Sequence, residues 1–211
     1  MGRFRQKYYD LFAAVYDRFV ALHASDHQQR ARHLLAEKTG AGADAKVLDL
    51  CTGTGAVLLH HQMGLGKGGM CVGVDFSAGM LNVAKEKTKA YPSIFLVQAD
   101  AGYLPFKNRA FDAVTCSHAF YELKGETRDR SLHEIKRVLK KGKPFLMMEH
   151  DLPANRVVRA LFYVRLLSMG AGKALEILKH EGEVLGRYFD SVYKVNAPGG
   201  KSKIWICKNN T

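Results

Sequence analysis

The chain has 211 residues, 47% of them hydrophobic, enough for one domain to bury a core without disulfide or metal support. Lys and Arg outnumber Asp and Glu by 32 to 20, a formal net charge of +12. The cations are spread along the helices rather than set among aromatics, which argues against a nucleic-acid-binding module; anionic lipid, an acidic ligand and plain solvation stay open. The four cysteines, Cys51, Cys71, Cys116 and Cys207, show neither a CxxC pair nor metal-ligand spacing with histidine, so free buried thiols and no metal are expected. No run approaches the roughly 20 uncharged apolar residues of a membrane span, and Asp10, Asp17 and Arg18 interrupt the first apolar stretch, unlike a secretory leader. A cytoplasmic protein is expected.

Over residues 3–22 the larger apolar side chains recur three and four apart, from Tyr8 through Leu11, Phe12, Val15, Tyr16 and Phe19 to Leu22, the spacing of an amphipathic helix. A second helix is predicted at about 26–38, ending in the Gly-rich stretch 39–44. Short apolar strands then alternate with helices: strands at 46–51, 70–75, 93–98, 111–116 and 144–149, and helices after the first strand and at about 78–90 and 127–139. Lys140, Lys141 and Gly142 close the last of these, cations and a glycine stop at a helix C-terminus. This alternation implies a parallel sheet with right-handed crossovers. An apolar helix at about 155–169, carrying Arg156, Arg159 and Arg165, precedes two β-rich runs, 188–195 and 202–207. Asn196-Ala-Pro-Gly-Gly200 joins these as a hairpin turn.

The segment from Val47 to Gly55 reads Val-Leu-Asp-Leu-Cys-Thr-Gly-Thr-Gly. Asp49 lies near the end of a buried strand, and Thr52, Gly53 and Gly55 form a tight turn before a helix, where a ligand can approach the backbone closely. Asp75 falls twenty residues after Gly55, at the tip of the next strand, where a carboxylate can accept hydrogen bonds from two ribose hydroxyls. Any adenosine cofactor suits this much, so a nicotinamide-dependent oxidoreductase is the competitor. Two features oppose it. A dinucleotide site wants a third glycine where this chain has Ala56, Val57 and Leu58, and the charge of Asp49 would repel a pyrophosphate while suiting an ammonium.

With these motifs the sequence resembles the class I S-adenosylmethionine-dependent methyltransferases from about Tyr9 to Cys207. The likeness is strongest in 47–55, in Val72-Gly-Val-Asp-Phe-Ser-Ala-Gly-Met-Leu81 and in Gln98-Ala-Asp-Ala-Gly-Tyr-Leu-Pro-Phe106. The resemblance implies an α/β, Rossmann-like, doubly wound seven-stranded sheet, mostly parallel with a C-terminal antiparallel hairpin and helices on both faces. It implies S-adenosyl-L-methionine as cofactor and S-adenosyl-L-homocysteine as product. By motif position Asp49, Thr52, Gly53 and Gly55 line the methionine end and Asp75 holds the ribose. Phe76 and Met80 flank the adenine or ribose, Asp100 and Ala101 address the adenine edge, and Ser117 closes the cofactor from the methionine side. Cys51 stands where the commonest form of the motif has glycine. Asp100 as a turn former and Phe76 and Met80 as plain core remain alternative readings; Asp112 reads as structural.

The expected layout is a single methyltransferase domain over 1–211, with an N-terminal helical lid over 1–40, a cofactor-binding core over 45–150, a helical substrate lid over 151–186 and the hairpin over 187–211. The acceptor should meet the carboxyl ends of the fourth and fifth strands, where His118, Tyr121, Glu149, His150 and Asp151 cluster. His118 and His150 are the candidate general bases, with the role of second-layer hydrogen bonder as the alternative for each. Tyr9, Tyr16, Tyr121, Glu149 and Tyr163 are candidate pocket residues. The Tyr9-Asp10 and Tyr16-Asp17 pairs look like those of the quinone-precursor methyltransferases. Glu149-His150 before an apolar helix looks like that of membrane-associated thiol and phospholipid methyltransferases. Both favour a small, lipophilic or membrane-borne acceptor, and the arginines of the lid, with Arg3, Arg5 and Lys7, suit peripheral contact with anionic lipid. A non-catalytic cofactor-binding module is the remaining alternative.

Overall fold

The computed structural model describes residues 10, 13, 27–123, 125–151, 180–200 and 202–209. The helices expected over 3–22 and 155–169, with Tyr9, Tyr16 and Tyr163, lie outside the described residues except at Asp10 and Ala13. In chain order the elements are α1 (His27–Lys38), β1 (Lys46–Leu50), α2 (Ala56–Gly64), β2 (Met70–Asp75), α3 (Ala78–Thr88) and β3 (Ile94–Gln98). After them come β4 (Ala113–Ser117), a 3-10 turn (Phe120–Glu122), α4 (Glu126–Val138), β5 (Phe145–His150), β6 (Ser191–Asn196) and β7 (Ser202–Lys208). Residues 180–186 are helical.

The strands form one seven-stranded sheet in the order β3-β2-β1-β4-β5-β7-β6. β1 to β5 run parallel, and β7 is antiparallel to both β5 and β6. The expected doubly wound sheet with its C-terminal hairpin is therefore present. The chain winds outward from β1 to β3, then returns to place β4 on the other side of β1. That reversal opens a crevice beyond the carboxyl ends of β1 and β4, where such sheets bind ligands.

Side chains alternate across the sheet. Leu48, Leu50, Val72, Val74, Val114, Cys116, Phe145 and Met147 face α4 and the 180–186 helix, meeting Leu132, Ile135, Leu185 and Phe189. Leu146, Met148, Ile204 and Ile206 face the other way, against Ala31 and Leu35 of α1 and Val57 of α2. Near-continuous apolar strands are what a sheet covered on both faces requires.

Where the elements depart from expectation, a specific competing bond is present. The fourth strand begins at Ala113 because Phe111 pairs with the end of α4, its N–H donating to Val138 O at 3.0 Å and its O accepting from Lys140 N at 2.9 Å. Asp112 then accepts from Lys46 N and Lys140 Nζ, the structural role its position suggested. The sixth strand starts at Ser191, since Tyr188 and Phe189 still donate to Leu185 O at the end of the preceding helix. Phe189 there stacks on Phe145, with ring centroids 5.7 Å apart. Cys71, Cys116 and Cys207 are buried free thiols; Cys51 is free and half-buried.

Candidate active site

The turn after β1 is wound tightly. Cys51, Gly53 and Gly55 all have positive φ, at 55°, 55° and 78°. A Cβ on Gly55 would approach Ala84 Cβ to 3.1 Å, so glycine lets α2 and α3 pack closely there. Cys51 holds its conformation without that freedom, which gives a physical reason for glycine in the commonest form of the motif.

Asp49 is 1% exposed. Thr52 Oγ1 donates to its Oδ2 and Thr115 Oγ1 to its Oδ1, each at 2.7 Å. Burial pushes the carboxyl up to about 6, against the two hydroxyl hydrogen bonds that favour its charged form. The chain continues away from the crevice: His61 Nε2 lies 3.0 Å from Thr115 Oγ1. Burial drives this imidazole down to about 3, so it is neutral. The Thr115 proton is committed to Asp49, so His61 donates through Nε2–H. Neither Thr115 nor His61 stands out in the sequence. Their only signal is strand register, since Thr115 is the parallel neighbour of Asp49.

Asp75 is nearly buried and accepts from Gly53 N at 2.8 Å and Ser77 N at 2.9 Å. Burial raises its carboxyl, while these backbone bonds oppose the shift. It thereby ties the β1 turn to the β2 tip. Asp10 adds a second anchor: its Oδ1 accepts from Ser77 Oγ at 2.5 Å and Gly79 N at 2.9 Å. A Cβ on Gly79 would fall 2.6 Å from Asp10 Cα, so the glycine admits this approach. In the sequence the Tyr9-Asp10 pair carries only its branch resemblance and gives no sign of this contact at the α3 N-terminus.

A narrow slot lies between the tips of β1, β2 and β3, lined by Cys51, Val74, Asp75, Phe76, Ala99, Asp100, Ala101 and Leu123. Its walls are apolar and its rim carries two carboxylates. That chemistry fits the flat ring and hydroxyl or amino donors of an adenosine, so the residues present suit S-adenosylmethionine. Asp100 also accepts from Gly102 N at 2.8 Å, a turn-forming bond. Met80 is buried on α3, where its own amide donates to the capping hydroxyl of Ser77. The Leu104-to-Phe106 end of the third motif is pinned by α4: Glu134 accepts from Leu104 N, and Arg137 donates to Leu104 O and Phe106 O.

Across the crevice, β4 ends in Ser117 and then turns at His118, whose φ is +52°. Both ring nitrogens of His118 are shielded from solvent and have no hydrogen-bond partner among the described residues. The ring lies 4.3 Å from that of His150, tilted by 32°. Burial, then the nearby His150, hold His118 well below the usual imidazole range. Glu149 does not orient either imidazole. It turns to the opposite face of β5, is fully buried, and accepts from Phe120 N at 2.8 Å. Burial and then Glu181 push its carboxyl up to about 8.

A doubly wound sheet with a reversed seventh strand, an acid beneath the first glycine turn and an acid at the second strand tip together define a class I methyltransferase. The chain matches the methyltransferase domain family over residues 47–142. It is 33% identical to the 2-phytyl-1,4-naphtoquinone methyltransferase of Nostoc punctiforme over 158 residues, covering 74% of this chain and 68% of that one. It is 30% identical to the demethylmenaquinone methyltransferase of Staphylococcus saprophyticus over 186 residues, covering 86% and 79%. A methyltransferase from Aquifex aeolicus, described as SAM-dependent, shares the fold, with a TM-score of 0.64, 17% identity and coverage of 90% and 96%. The chain belongs to the S-adenosylmethionine-dependent methyltransferases and resembles their quinone-biosynthesis branch. S-adenosylmethionine is its cofactor, and the nicotinamide alternative is not favoured.

Proposed function

We propose that the chain methylates a small, lipophilic, quinone-type acceptor, bound at the carboxyl ends of β4 and β5. The observation that carries this reading is the substrate class in the names of two relatives that the chain matches along most of their length. Within the cofactor site, Asp49, Thr52, Gly53 and Gly55 take the methionine end, Asp75 the ribose, Phe76 and Met80 the adenine or ribose, and Asp100 and Ala101 the adenine edge, with Ser117 closing the methionine side. The sulfonium supplies an activated methyl group for in-line displacement, and the enzyme's part is to align the acceptor and exclude water.

His118 and His150 are the bases we assign. A neutral ring with two unpartnered, shielded nitrogens is ready to take a proton from an acceptor hydroxyl. Tyr121, with Tyr9, Tyr16 and Tyr163 outside the described residues, completes the pocket; Glu149, expected there from the sequence, is buried on the α4 face and supports the loop from beneath. The free thiols suit a cytoplasmic setting, and a lipophilic acceptor suits peripheral contact with an anionic membrane. No helix among the described residues is long and apolar enough to cross a membrane.

The test is transfer of labelled methyl from S-adenosylmethionine to a reduced, demethylated naphthoquinone. Product from the intact protein and a large loss of kcat in His118→Ala are expected. An unchanged rate in both histidine variants at saturating acceptor would dismiss the base assignment. Tight NADH binding without S-adenosylhomocysteine binding would overturn the cofactor reading.

A further inference from the structure

The residues beneath the acceptor loop form a buried polar cluster that the methyl-transfer site as described does not use. Lys203 Nζ lies 2.8 Å from Glu181 Oε2, with the two side chains 4% and 1% exposed. Trp205 Nε1 donates to the same oxygen at 2.8 Å. Lys203 is the antiparallel partner of Glu149 in the β5–β7 ladder, so both side chains stand on one face of the sheet. Glu149 reaches the loop after β4 through Phe120 N, and Tyr121 N gives it a second backbone hydrogen bond. One oxygen on each acid, Glu149 Oε2 and Glu181 Oε1, is buried without a partner among the described residues.

We infer that the Glu181–Lys203 ion pair positions the acceptor-facing loop of the methyl-transfer site, acting through Glu149. This role rests on the acceptor site proposed at the carboxyl ends of β4 and β5. Two carboxylates and one ammonium leave an uncompensated negative charge if all are ionised, and an interior without water penalises that charge heavily. One proton removes it. Burial raises the Glu181 carboxyl too, but Lys203 and Trp205 both donate to it and favour its ionised form, so the proton falls on Glu149. Glu149 Oε1 then still accepts from the loop amides, while Oε2 becomes a donor and Glu181 Oε1 is the nearby buried acceptor, reached directly or through one water. The loop, β5, β7 and the 180–186 helix are latched through one shared proton.

Loss of that proton sets two like charges against each other and opens the latch. The raised value of Glu149, from burial and then Glu181, agrees with this order of protonation. Among the described residues Glu149 faces Glu181, Lys203 and Cys116, and the Cys116 thiol is itself pushed up, first by its hydrogen bond with Cys51, then by burial and more weakly by Glu149. Asp151, held by Lys194 Nζ at 3.2 Å, adds negative charge beside Glu181.

The test follows the Phe120 amide by NMR in the full chain between about pH 6 and pH 9, with no acceptor or methyl donor present. The wild type should titrate at that amide, and Glu149→Gln should remove the titration. Glu181→Gln should lower the midpoint by about one unit or more, because a repelling charge goes and Lys203 turns to Glu149. Adding Lys203→Met to Glu181→Gln should raise the midpoint again. A midpoint unmoved by Glu181→Gln, or moved further down in the double variant, overturns the inference, since loosened packing would not reverse its sign. Methyl transfer should fall through the same midpoint, at lower pH in Glu181→Gln. An amide titration that moves while the activity profile stays fixed overturns the positioning role and leaves the acceptor assignment standing. No transfer to the naphthoquinone by any variant, with the titrations as expected, overturns the acceptor assignment and leaves the latch.

Discussion

Replacing Asp49 by Asn should stabilise the unliganded protein at neutral pH while weakening cofactor binding. The carboxyl is raised from its ordinary 3.8 to about 6 by burial. A shift of roughly two units corresponds to about 3 kcal/mol of difference between its protonated and ionised forms. The sign follows from proton binding: the folded state holds this proton more tightly than the unfolded chain. The associated stability is full below about pH 4 and is lost as pH rises through about 6. Asn carries no such dependence. Its amide serves the two threonine hydroxyls less well than two carboxylate oxygens do, a pH-independent cost of about 1 kcal/mol. Asp49→Asn should therefore be about 1 kcal/mol less stable than wild type near pH 4 and about 2 kcal/mol more stable near pH 8. Urea unfolding without ligand at several pH values measures this directly. Calorimetry with S-adenosylhomocysteine at pH 8 should show at least about tenfold weaker binding, from loss of a charge-assisted hydrogen bond. A stability difference that stays flat with pH would refute the reasoning.

Thr115→Val removes one of the two donors to Asp49 and leaves His61 Nε2 without the hydroxyl it faces, so it should cost about 1–3 kcal/mol; Thr115→Ser should recover most of the loss in the same unfolding assay. Cys51→Gly should relieve left-handed strain of about 1–2 kcal/mol, partly offset by lost thiol packing. A net rise in Tm with cofactor binding retained is expected, and a fall would count against strain at that position. Arg137→Ala frees the carbonyls of Leu104 and Phe106 and should destabilise by about 1–3 kcal/mol. Faster hydrogen exchange at the Leu104 amide should accompany it.

The alternation of strand and helix, the reversed hairpin and the cofactor turn were legible because each is written locally. Period, glycines and acids at fixed offsets need no knowledge of the third dimension. Element ends were less legible for a definite reason. Phe111 has the composition of a strand residue, yet its backbone pairs with Val138 and Lys140, so β4 starts later than its apolar run. Tyr188 and Phe189 likewise read as β-formers, but Leu185 O captures both amides and the Phe145 ring gives Phe189 a place in the core. Tertiary partners overrode propensity at both points.

The site divides the same way. Asp49 and Asp75 stand out because a charged residue inside an apolar strand is costly and calls for a reason. Thr115 and His61 carry no such mark: one is a common strand residue, the other is one of two adjacent histidines on a short helix, and only register brings them to Asp49. The adjacency of Glu149 and His150 misleads in the opposite sense. Neighbours on a strand point to opposite faces, so the two that looked like one motif serve separate clusters. His150 joins His118 across the strand ends, whereas Glu149 joins Glu181 and Lys203 on the α4 face. Those last two lie 32 and 54 residues further along the chain, where an acid in a helix and a lysine in a hairpin look like surface charge. Their burial is imposed by the antiparallel strand, which the sequence did announce. A reading that had carried the β5–β7 pairing through to register would have set Lys203 opposite Glu149. An acid facing a lysine inside a covered sheet is a buried polar cluster before any coordinate is known.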